Sequence, residues 1–215
     1  RGTPPAPAGP SPRPLPAPGV YLYDTEGSFE VALFGGSKHR YPDRTTVTLT
    51  HTPCGADMRW DVLEERWERA VLCSAGDGIE VREFVTFHEF YEQGMTRHFR
   101  CRAPTFLHPP TTDAGSSFGG RCASPDAAAE IAGTVVGVED MTVAGRPVAS
   151  LRVRTEETLT GAVQGWRRSE IWFARSNGLM LKRVSRTQAR ASTPGGPTDY
   201  TEKFTMSISA LDPLR

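Results

Sequence analysis

Some residue types are scarce in this chain, and some sequence patterns are absent. The absent patterns exclude classes of structure or partner. Asparagine occurs once, at Asn177, and lysine only at Lys38, Lys182 and Lys203. No apolar run approaches the ~18 residues that a membrane-spanning helix needs. Basic and acidic residues are balanced at 25 each, so there is no concentrated basic face for nucleic acid or an anionic membrane. We therefore expect no nucleic-acid partner, and membrane association only through an anchor outside this chain.

Proline is concentrated at the N-terminus. Residues 1–18 hold eight of the eighteen prolines, a composition that favours an extended polyproline II spacer. We predict a Pro-rich linker or tether, and a disordered tail without a role is the alternative. The chain opens without an initiating Met, so we expect a fragment or mature form whose signal peptide or anchor lies upstream. The arginine bias is typical of a high-GC bacterium, such as an actinobacterium.

The cysteines indicate an oxidising compartment. Cys54, Cys73, Cys101 and Cys122 are too far apart for the C-x2-C spacing of a metal site, and no second pair complements the H-x2-C of His51 and Cys54. An even number of widely spaced cysteines favours disulfides. Of the three possible connectivities we predict the most local, which joins Cys54 to Cys73 and Cys101 to Cys122. The protein is then expected to be extracytoplasmic, secreted or anchored at the cell surface.

From residue 19 to 215 the dominant period is two, as in "FEVALF", "TVTLTH" and "MTRHFRC". Such runs, rich in β-branched and aromatic residues and bounded by turn residues, predict strands. The fold class is therefore all-β and mainly antiparallel, with ten to twelve strands in a single domain. We expect a curved sheet that forms a half-barrel or is barrel-like.

Two stretches compete with that reading. "WDVLEERWERAVL" has apolar residues at helical spacing, but we favour a hairpin that turns near Glu64 and Glu65. In "SPDAAAEIA", Ser124 is a candidate N-cap, Pro125 occupies the first helical position and three alanines follow. This second stretch predicts one short linker helix.

The two halves of the domain resemble each other. "GDGIEVRE" and "SNGLMLKR" align 100 residues apart, so that Asp77–Gly78 matches Asn177–Gly178. Both dipeptides favour type I′ hairpins, in which the two central residues take positive φ. We predict pseudo-repeats over 19–103 and 132–211, joined by a linker over 104–131. The alternative is that hairpin turns recur by chance in any β-protein.

Aromatic side chains on predicted strands suggest a binding face. A curved sheet lined by aromatics can enclose an apolar cavity. Ordinary core filling is the alternative, and the enrichment of aromatics in strands favours it. The candidate ligand-binding residues are Trp60, Trp67, Trp166, Trp172, Phe87 and Phe90. The ligand would be a lipid or another apolar molecule.

Polar candidates are weaker. Arg167 and Arg168, beside Trp166, are either carboxylate-binding or stacking residues at the rim of a cavity, or solvent-facing strand charges. His88 and His98 would hold a metal only if a hairpin turning at "EQG" brought them together. No G-x-S-x-G or P-loop frame is present. We therefore predict no catalytic residue, no metal and no cofactor.

Long segments carry a resemblance to a family. "GVEDMTVAGRPVASLRVRTEETLTG" followed by "WFARSNGLMLKR" resembles exported bacterial β-rich domains of unknown function. "RWDVLEERWERAVLC" through "FHEFYEQGMTRHFRC" is similar to an actinobacterial envelope domain with the same cysteine layout. Both are similar to the curved-sheet folds of periplasmic lipoprotein carriers. The resemblance implies export and this fold, and it supplies no catalytic residues to transfer.

Together these patterns predict an extracytoplasmic cell-envelope domain, not an enzyme, that binds an apolar or amphiphilic ligand such as lipid. One alternative is a structural or interaction ectodomain of a membrane-anchored protein, with an envelope protein as its partner. A remote alternative is a metal-dependent or hydrolytic enzyme.

Overall fold

The computed structural model describes residues 14–32, 36–90, 93–193 and 196–214. Most of the Pro-rich segment, residues 1–13, therefore lies outside the described residues. Fourteen strands are found in the described part of the chain. They are β1 (Gly19–Val31), β2 (Ser37–Arg40), β3 (Arg44–Thr52), β4 (Gly55–Leu63), β5 (Arg66–Ala75), β6 (Gly78–Phe90), β7 (Gln93–Cys101), β8 (Phe106–His108), β9 (Ser117–Ala123), β10 (Ala127–Val143), β11 (Arg146–Gly161), β12 (Val163–Ala174), β13 (Met180–Thr193) and β14 (Gly196–Ile208).

The strands form one antiparallel sheet that closes on itself. Neighbouring strands of the ring are antiparallel, and β1 closes the ring by pairing with β3 over 19–24 and with β14 over 23–31. Twelve strands make up the barrel wall, while β2 and β8 pair outside this ring, with β1 and β6 respectively. The predicted all-β antiparallel class is confirmed. A half-barrel was one of the expected forms, and the structure has a closed barrel instead.

The strand periodicity of two places alternate side chains inside and outside the barrel. In β5, for example, Arg66, Glu68 and Ala70 are buried while Trp67 and Arg69 are only half-buried. The competing helix over "WDVLEERWERAVL" does not form, because a turn at Glu64 and Glu65 separates β4 from β5. None of the described residues forms a helix with the length and hydrophobicity required to cross a bilayer.

The predicted linker helix is wrong. Ser124 satisfies local backbone groups as an N-cap would, but it does so in a hairpin turn: its Oγ accepts a hydrogen bond from the Ala127 N–H at 3.0 Å and donates to Asp126 at 2.8 Å. The alanines that follow continue as β10, in which Ala127 and Ala129 are buried and point into the barrel. These alanines form a strand because they face the barrel interior, and this tertiary context overrides their helix propensity.

The hairpin turns also correct an expectation. Asn177 does not take positive φ. Gly178 does, at 74°, and the Asn177 Oδ1 accepts a hydrogen bond from the Leu179 N–H at 3.1 Å. In the first half the positive φ, 58°, falls on Gly76 and not on Asp77.

A turn with two positive φ values does occur between β10 and β11, where Ala144 has φ 47° and Gly145 has φ 76°. This is the φ pattern of a type I′ hairpin, which the Asp-Gly and Asn-Gly dipeptides predict at the other two turns. Ala144 is the single described non-glycine residue with positive φ.

The two aligned hairpins occupy equivalent places in the barrel. The β5–β6 turn joins the fourth and fifth barrel strands of the first half, and the β12–β13 turn joins the fourth and fifth of the second. Duplication of the two halves stays a prediction. The stretch 104–131, expected to be a linker, contains β8, β9 and the start of β10. We call the end of the barrel that holds these two turns the hairpin end.

Both predicted disulfides are present. Cys54–Cys73 ties the β3–β4 turn to β5, and Cys101–Cys122 joins β7 to β9. The second bond lies at a sparse point of the wall, because β7 and β9 pair only through Arg100 with Ala123 and Cys101 with Cys122. Two disulfides are typical of a protein that folds in an oxidising compartment.

Candidate functional site

The barrel interior contains a cavity of about 200 Å³. Alternating inward residues from most strands form its wall, and most of those side chains are apolar. Space remains because several inward positions carry small side chains. The buried alanines that line the cavity are Ala56, Ala70, Ala127, Ala129, Ala189 and Ala191.

The end of the Pro-rich segment covers the hairpin end of the barrel. Leu15 and Pro16 line the cavity. The Pro16 carbonyl accepts a hydrogen bond from His51 Nε2 at 2.9 Å, and the Tyr21 hydroxyl donates to the Ala17 carbonyl at 2.7 Å. These two bonds fix the described part of the segment against the mouth of the barrel.

A network of buried charges crosses the interior toward the opposite end. Arg66 donates from Nε to Glu202 at 2.9 Å and from Nη2 to Glu68 at 2.5 Å. Glu68 also accepts from Arg183 at 3.0 Å and lies 3.4 Å from Arg167. We call these five residues, with Glu157, the interior ion cluster. It joins β5, β11, β12, β13 and β14, and so it connects distant parts of the wall.

The ion cluster fixes the charge of its members. Burial raises the pKa of Glu202, but the guanidinium groups of Arg66 and Arg167 together outweigh it and lower that pKa to about 2. Burial likewise opposes ionisation of Glu68, but Arg66, Arg167 and Arg183 together hold its pKa well below its usual range. Glu202 accepts a hydrogen bond from the Tyr41 hydroxyl, and burial raises the pKa of Tyr41. The carboxylates therefore stay ionised and the phenol neutral at physiological pH.

His88 is the neutral member of this region. Its Nε2 lies 3.2 Å from the Tyr200 hydroxyl, and the side chain lines the cavity. Burial, reinforced by the positive charge of Arg66, lowers the pKa of His88 to about 3. His88 is consequently uncharged above that pH.

Arg167 is the most weakly paired arginine of the cluster. Its side chain is 9% exposed and lines the cavity. Its nearest carboxylates are Glu68 at 3.4 Å and Glu157 at 3.8 Å, longer than the 2.7–2.9 Å of a good charge-assisted hydrogen bond. Its Nε donates no hydrogen bond to any acceptor among the described residues.

Four of the six predicted ligand-binding aromatics point away from the cavity. Trp67 and Phe87 stack on each other with ring centroids 5.4 Å apart, and Arg59 covers Trp67 at 4.3 Å. Arg168 covers Trp166 at 4.7 Å. All of these side chains alternate with residues that face the cavity, so they belong to the outer surface of the wall.

Trp172 is also on the outer side. Its Nε1 donates a hydrogen bond to Glu139, and Arg152 and Lys182 lie over its ring. Of the five whose side chains the structure describes, Trp60 alone lines the cavity, where its Nε1 donates to Thr45 at 3.0 Å. The side chain of Phe90 lies outside what the structure describes. The five described aromatics therefore do not share one face, although the sequence predicted a common face for all six.

The polar candidates are separated in the same way. Arg167 faces the cavity, whereas its neighbour Arg168 pairs outside with Glu156 at 2.9 Å. His88 and His98 do not meet, because His98 lies opposite Val85 and is exposed. In the described ranges no group of three or more His, Cys, Asp or Glu side chains is placed to hold a metal ion.

The interior ion cluster was missed by the sequence analysis, although one signal for it exists. In "RWERAVL", Arg66 and Glu68 alternate with Trp67 and so share a face with Ala70 and Leu72. Charged residues in phase with a strand's apolar face indicate buried ion pairs.

No protein-family model matches this chain, and no curated protein does either. Among solved structures, the chain is similar to the hypothetical lipoprotein YmcC from Escherichia coli K12. The two share 13% sequence identity, with a TM-score of 0.36, over 84% of this chain and 85% of that chain. A similarity of this size carries no argument about function, which has to be inferred from the geometry of the cavity.

Proposed function

We propose that this chain is an extracytoplasmic cell-envelope binding domain whose barrel interior holds an apolar or amphiphilic ligand such as a lipid. The cavity of about 200 Å³ is the observation that carries the proposal. The two disulfides support a location in the envelope or outside the cell.

The chemistry of the wall supports a ligand with a large apolar part. Binding is favourable when apolar atoms fill an apolar cavity in place of water or empty space. For comparison, an engineered cavity of about 150 Å³ lined by apolar residues binds benzene. This cavity is larger and also elongated, since its lining runs from Leu15 at the hairpin end to Thr198 near the opposite end. An extended hydrocarbon chain fits that shape.

Binding of N-phenyl-1-naphthylamine, a neutral apolar probe whose fluorescence rises in apolar surroundings, tests the proposal. We expect wild-type protein to bind it and Ala129→Phe to bind it at least tenfold more weakly, because the added ring occupies the cavity that Ala129 lines. Ala132→Phe is the matched control. Ala132 is three residues further along the same strand and exposed, so this variant should bind as wild type does.

Mass spectrometry of protein purified from its native host complements the probe. A co-purifying lipid that is absent from Ala129→Phe and present in Ala132→Phe would support the proposal. Equal probe binding by wild type and a folded Ala129→Phe, with no co-purified lipid, would overturn it.

We propose further that the cavity has no catalytic role. The histidine that lines it, His88, has a pKa of about 3, which makes it a weak base at neutral pH. The carboxylates of the interior ion cluster face guanidinium groups that keep them ionised. Neither group is tuned for general acid–base catalysis near pH 7.

A structural or interaction ectodomain is the second candidate, favoured by the outward aromatics. Trp67, Phe87 and Arg59 form a stack on the outer wall, and Trp and Arg are enriched at the centres of protein interfaces. A partner protein from the envelope would contact this surface. Trp67→Ala would then abolish partner capture and leave N-phenyl-1-naphthylamine binding unchanged.

A further inference from the structure

Several polar residues of the cavity wall have a hydrogen-bond donor without a partner. In the described part of the chain, four residues that line the cavity carry a buried side-chain atom without a hydrogen-bond partner: Nε of Arg97, Arg167 and Arg183, and Oγ1 of Thr198. All four can donate. No carboxylate oxygen of the described lining residues is left in this state. The wall therefore complements a group that supplies acceptor oxygens.

Arg167 is the best placed of these donors. Its guanidinium is always charged and has five N–H donors in a planar fork that matches a carboxylate or a phosphate. Glu68 and Glu157 approach only to 3.4 and 3.8 Å, so a third acceptor can compete for the same donors. The side chain is held in position, because it is 9% exposed and lies 5.6 Å from the ring of Phe84.

We propose that the ligand is an anionic amphiphile whose carboxylate or phosphate group pairs with Arg167, while its hydrocarbon chain fills the apolar part of the cavity. This inference rests on the proposed lipid-binding function and specifies the chemical class of the ligand. Glu157, which is 17% exposed in its side chain, is the carboxylate that the anionic group displaces from Arg167.

Displacement of N-phenyl-1-naphthylamine by matched ligands measures the contribution of the charge. Oleate and methyl oleate share a hydrocarbon chain and differ in the negative charge. We expect oleate to displace the probe at a concentration about 10- to 100-fold lower than methyl oleate, as for a charge-assisted hydrogen bond to a buried arginine. 1-Oleoyl lysophosphatidate, tested alongside, distinguishes a phosphate from a carboxylate as the preferred anionic group.

Variants locate the effect at Arg167. Arg167→Met retains the length of the side chain without the charge, and we expect it to lose the preference for oleate while it binds methyl oleate as wild type does. Arg168→Met, one residue away and on the outer wall, is the matched control and should keep the preference. Glu157→Gln removes the competing carboxylate and should bind oleate more tightly than wild type does. Should Arg167→Met fail to fold, Glu157→Gln still tests the inference, because it retains the three arginines of the cluster.

The outcomes separate the two proposals. If N-phenyl-1-naphthylamine and both oleoyl ligands fail to bind, the lipid-binding function itself is wrong. If oleate and methyl oleate bind equally, and neither Arg167→Met nor Glu157→Gln changes the affinity for oleate, the cavity binds apolar ligands without recognising an anion, and this inference alone is overturned.

Discussion

Arg66 and Glu202, 136 residues apart in the sequence, meet inside the barrel with 2.9 Å between Nε and Oε1. Their side chains are 0% and 1% exposed, so water does not screen the pair. Taking two charges out of water is costly, and the pair stabilises the fold only because each partner neutralises the other. Removing one partner leaves the other as an uncompensated buried charge.

Replacement of Arg66 should therefore destabilise the barrel strongly. We expect Arg66→Met to lower the free energy of unfolding by about 3–5 kcal/mol, measured by urea denaturation at pH 7. Arg168→Met breaks the exposed pair with Glu156 and should cost less than about 1 kcal/mol. Similar losses in the two variants would contradict the role given to the interior ion cluster.

Acid should destabilise the protein through His88. Its folded pKa is lowered to about 3 from 6.5, so below pH 6.5 the unfolded chain binds a proton that the folded protein does not. The stability contributed by neutral His88 is present above pH 6.5 and is lost as the pH falls toward 3, at up to about 1.4 kcal/mol per pH unit.

The measurement compares urea denaturation of wild type and His88→Gln between pH 7 and pH 5. Glutamine cannot titrate, so His88→Gln should lose less stability than wild type over this interval. The lowered pKa of Glu202, about 2, affects stability only below its unfolded value of 4.5, where protonation removes its contribution. Parallel curves for the two proteins above pH 5 would show that His88 is not held neutral.

The strands were predictable from the sequence because their period of two is a local property. The disulfides followed from cysteine spacing, and the β4–β5 hairpin from its alignment with the second half. The period of two does not by itself decide which face of a strand lies inside the barrel, since it fits β5 equally well with Trp67 or with Arg66 inside. Only closure of the barrel decides that Arg66 and Glu68 face Glu202 and Arg183, which lie on strands more than 100 residues away.

The short seam between β7 and β9 should depend on its disulfide. Only two residue pairs join these strands, Arg100 with Ala123 and Cys101 with Cys122. We expect the Cys101→Ala/Cys122→Ala variant to lose about 2–5 kcal/mol of stability. Amide hydrogen exchange should accelerate selectively in β7 and β9, because few backbone hydrogen bonds remain to hold the wall together there.

The other disulfide provides the comparison for that variant. Cys54–Cys73 lies beside β4 and β5, which pair along most of their length, from Gly55 with Cys73 to Leu63 with Arg66. Cys54→Ala/Cys73→Ala should lower stability without a selective increase of exchange in β7 and β9. Unchanged exchange at the seam after removal of Cys101–Cys122 would show that the two residue pairs suffice.

Position 178 requires glycine for two reasons. One is its backbone conformation, and the other is the close approach of Ile79 from the other aligned hairpin. Its φ is 74°, and a Cβ added to it would lie 2.5 Å from the Cδ1 of Ile79. Gly145 has nearly the same φ, 76°, with nothing within 4 Å of an added Cβ. Gly145→Ala should therefore cost only the left-handed backbone penalty, about 1–2 kcal/mol, whereas Gly178→Ala should cost more.

A second substitution isolates the steric part of that cost. Ile79→Val removes the Cδ1 that an alanine at 178 would meet, so Gly178→Ala should be less destabilising in the Ile79→Val background than in wild type. Thermal or urea denaturation of the four proteins in this double-mutant cycle gives the coupling free energy. A coupling near zero would mean that the two hairpins move apart at little cost. A clear favourable coupling would show that they are packed against each other, and that the hairpin end of the barrel is fixed by this contact as well as by its turns.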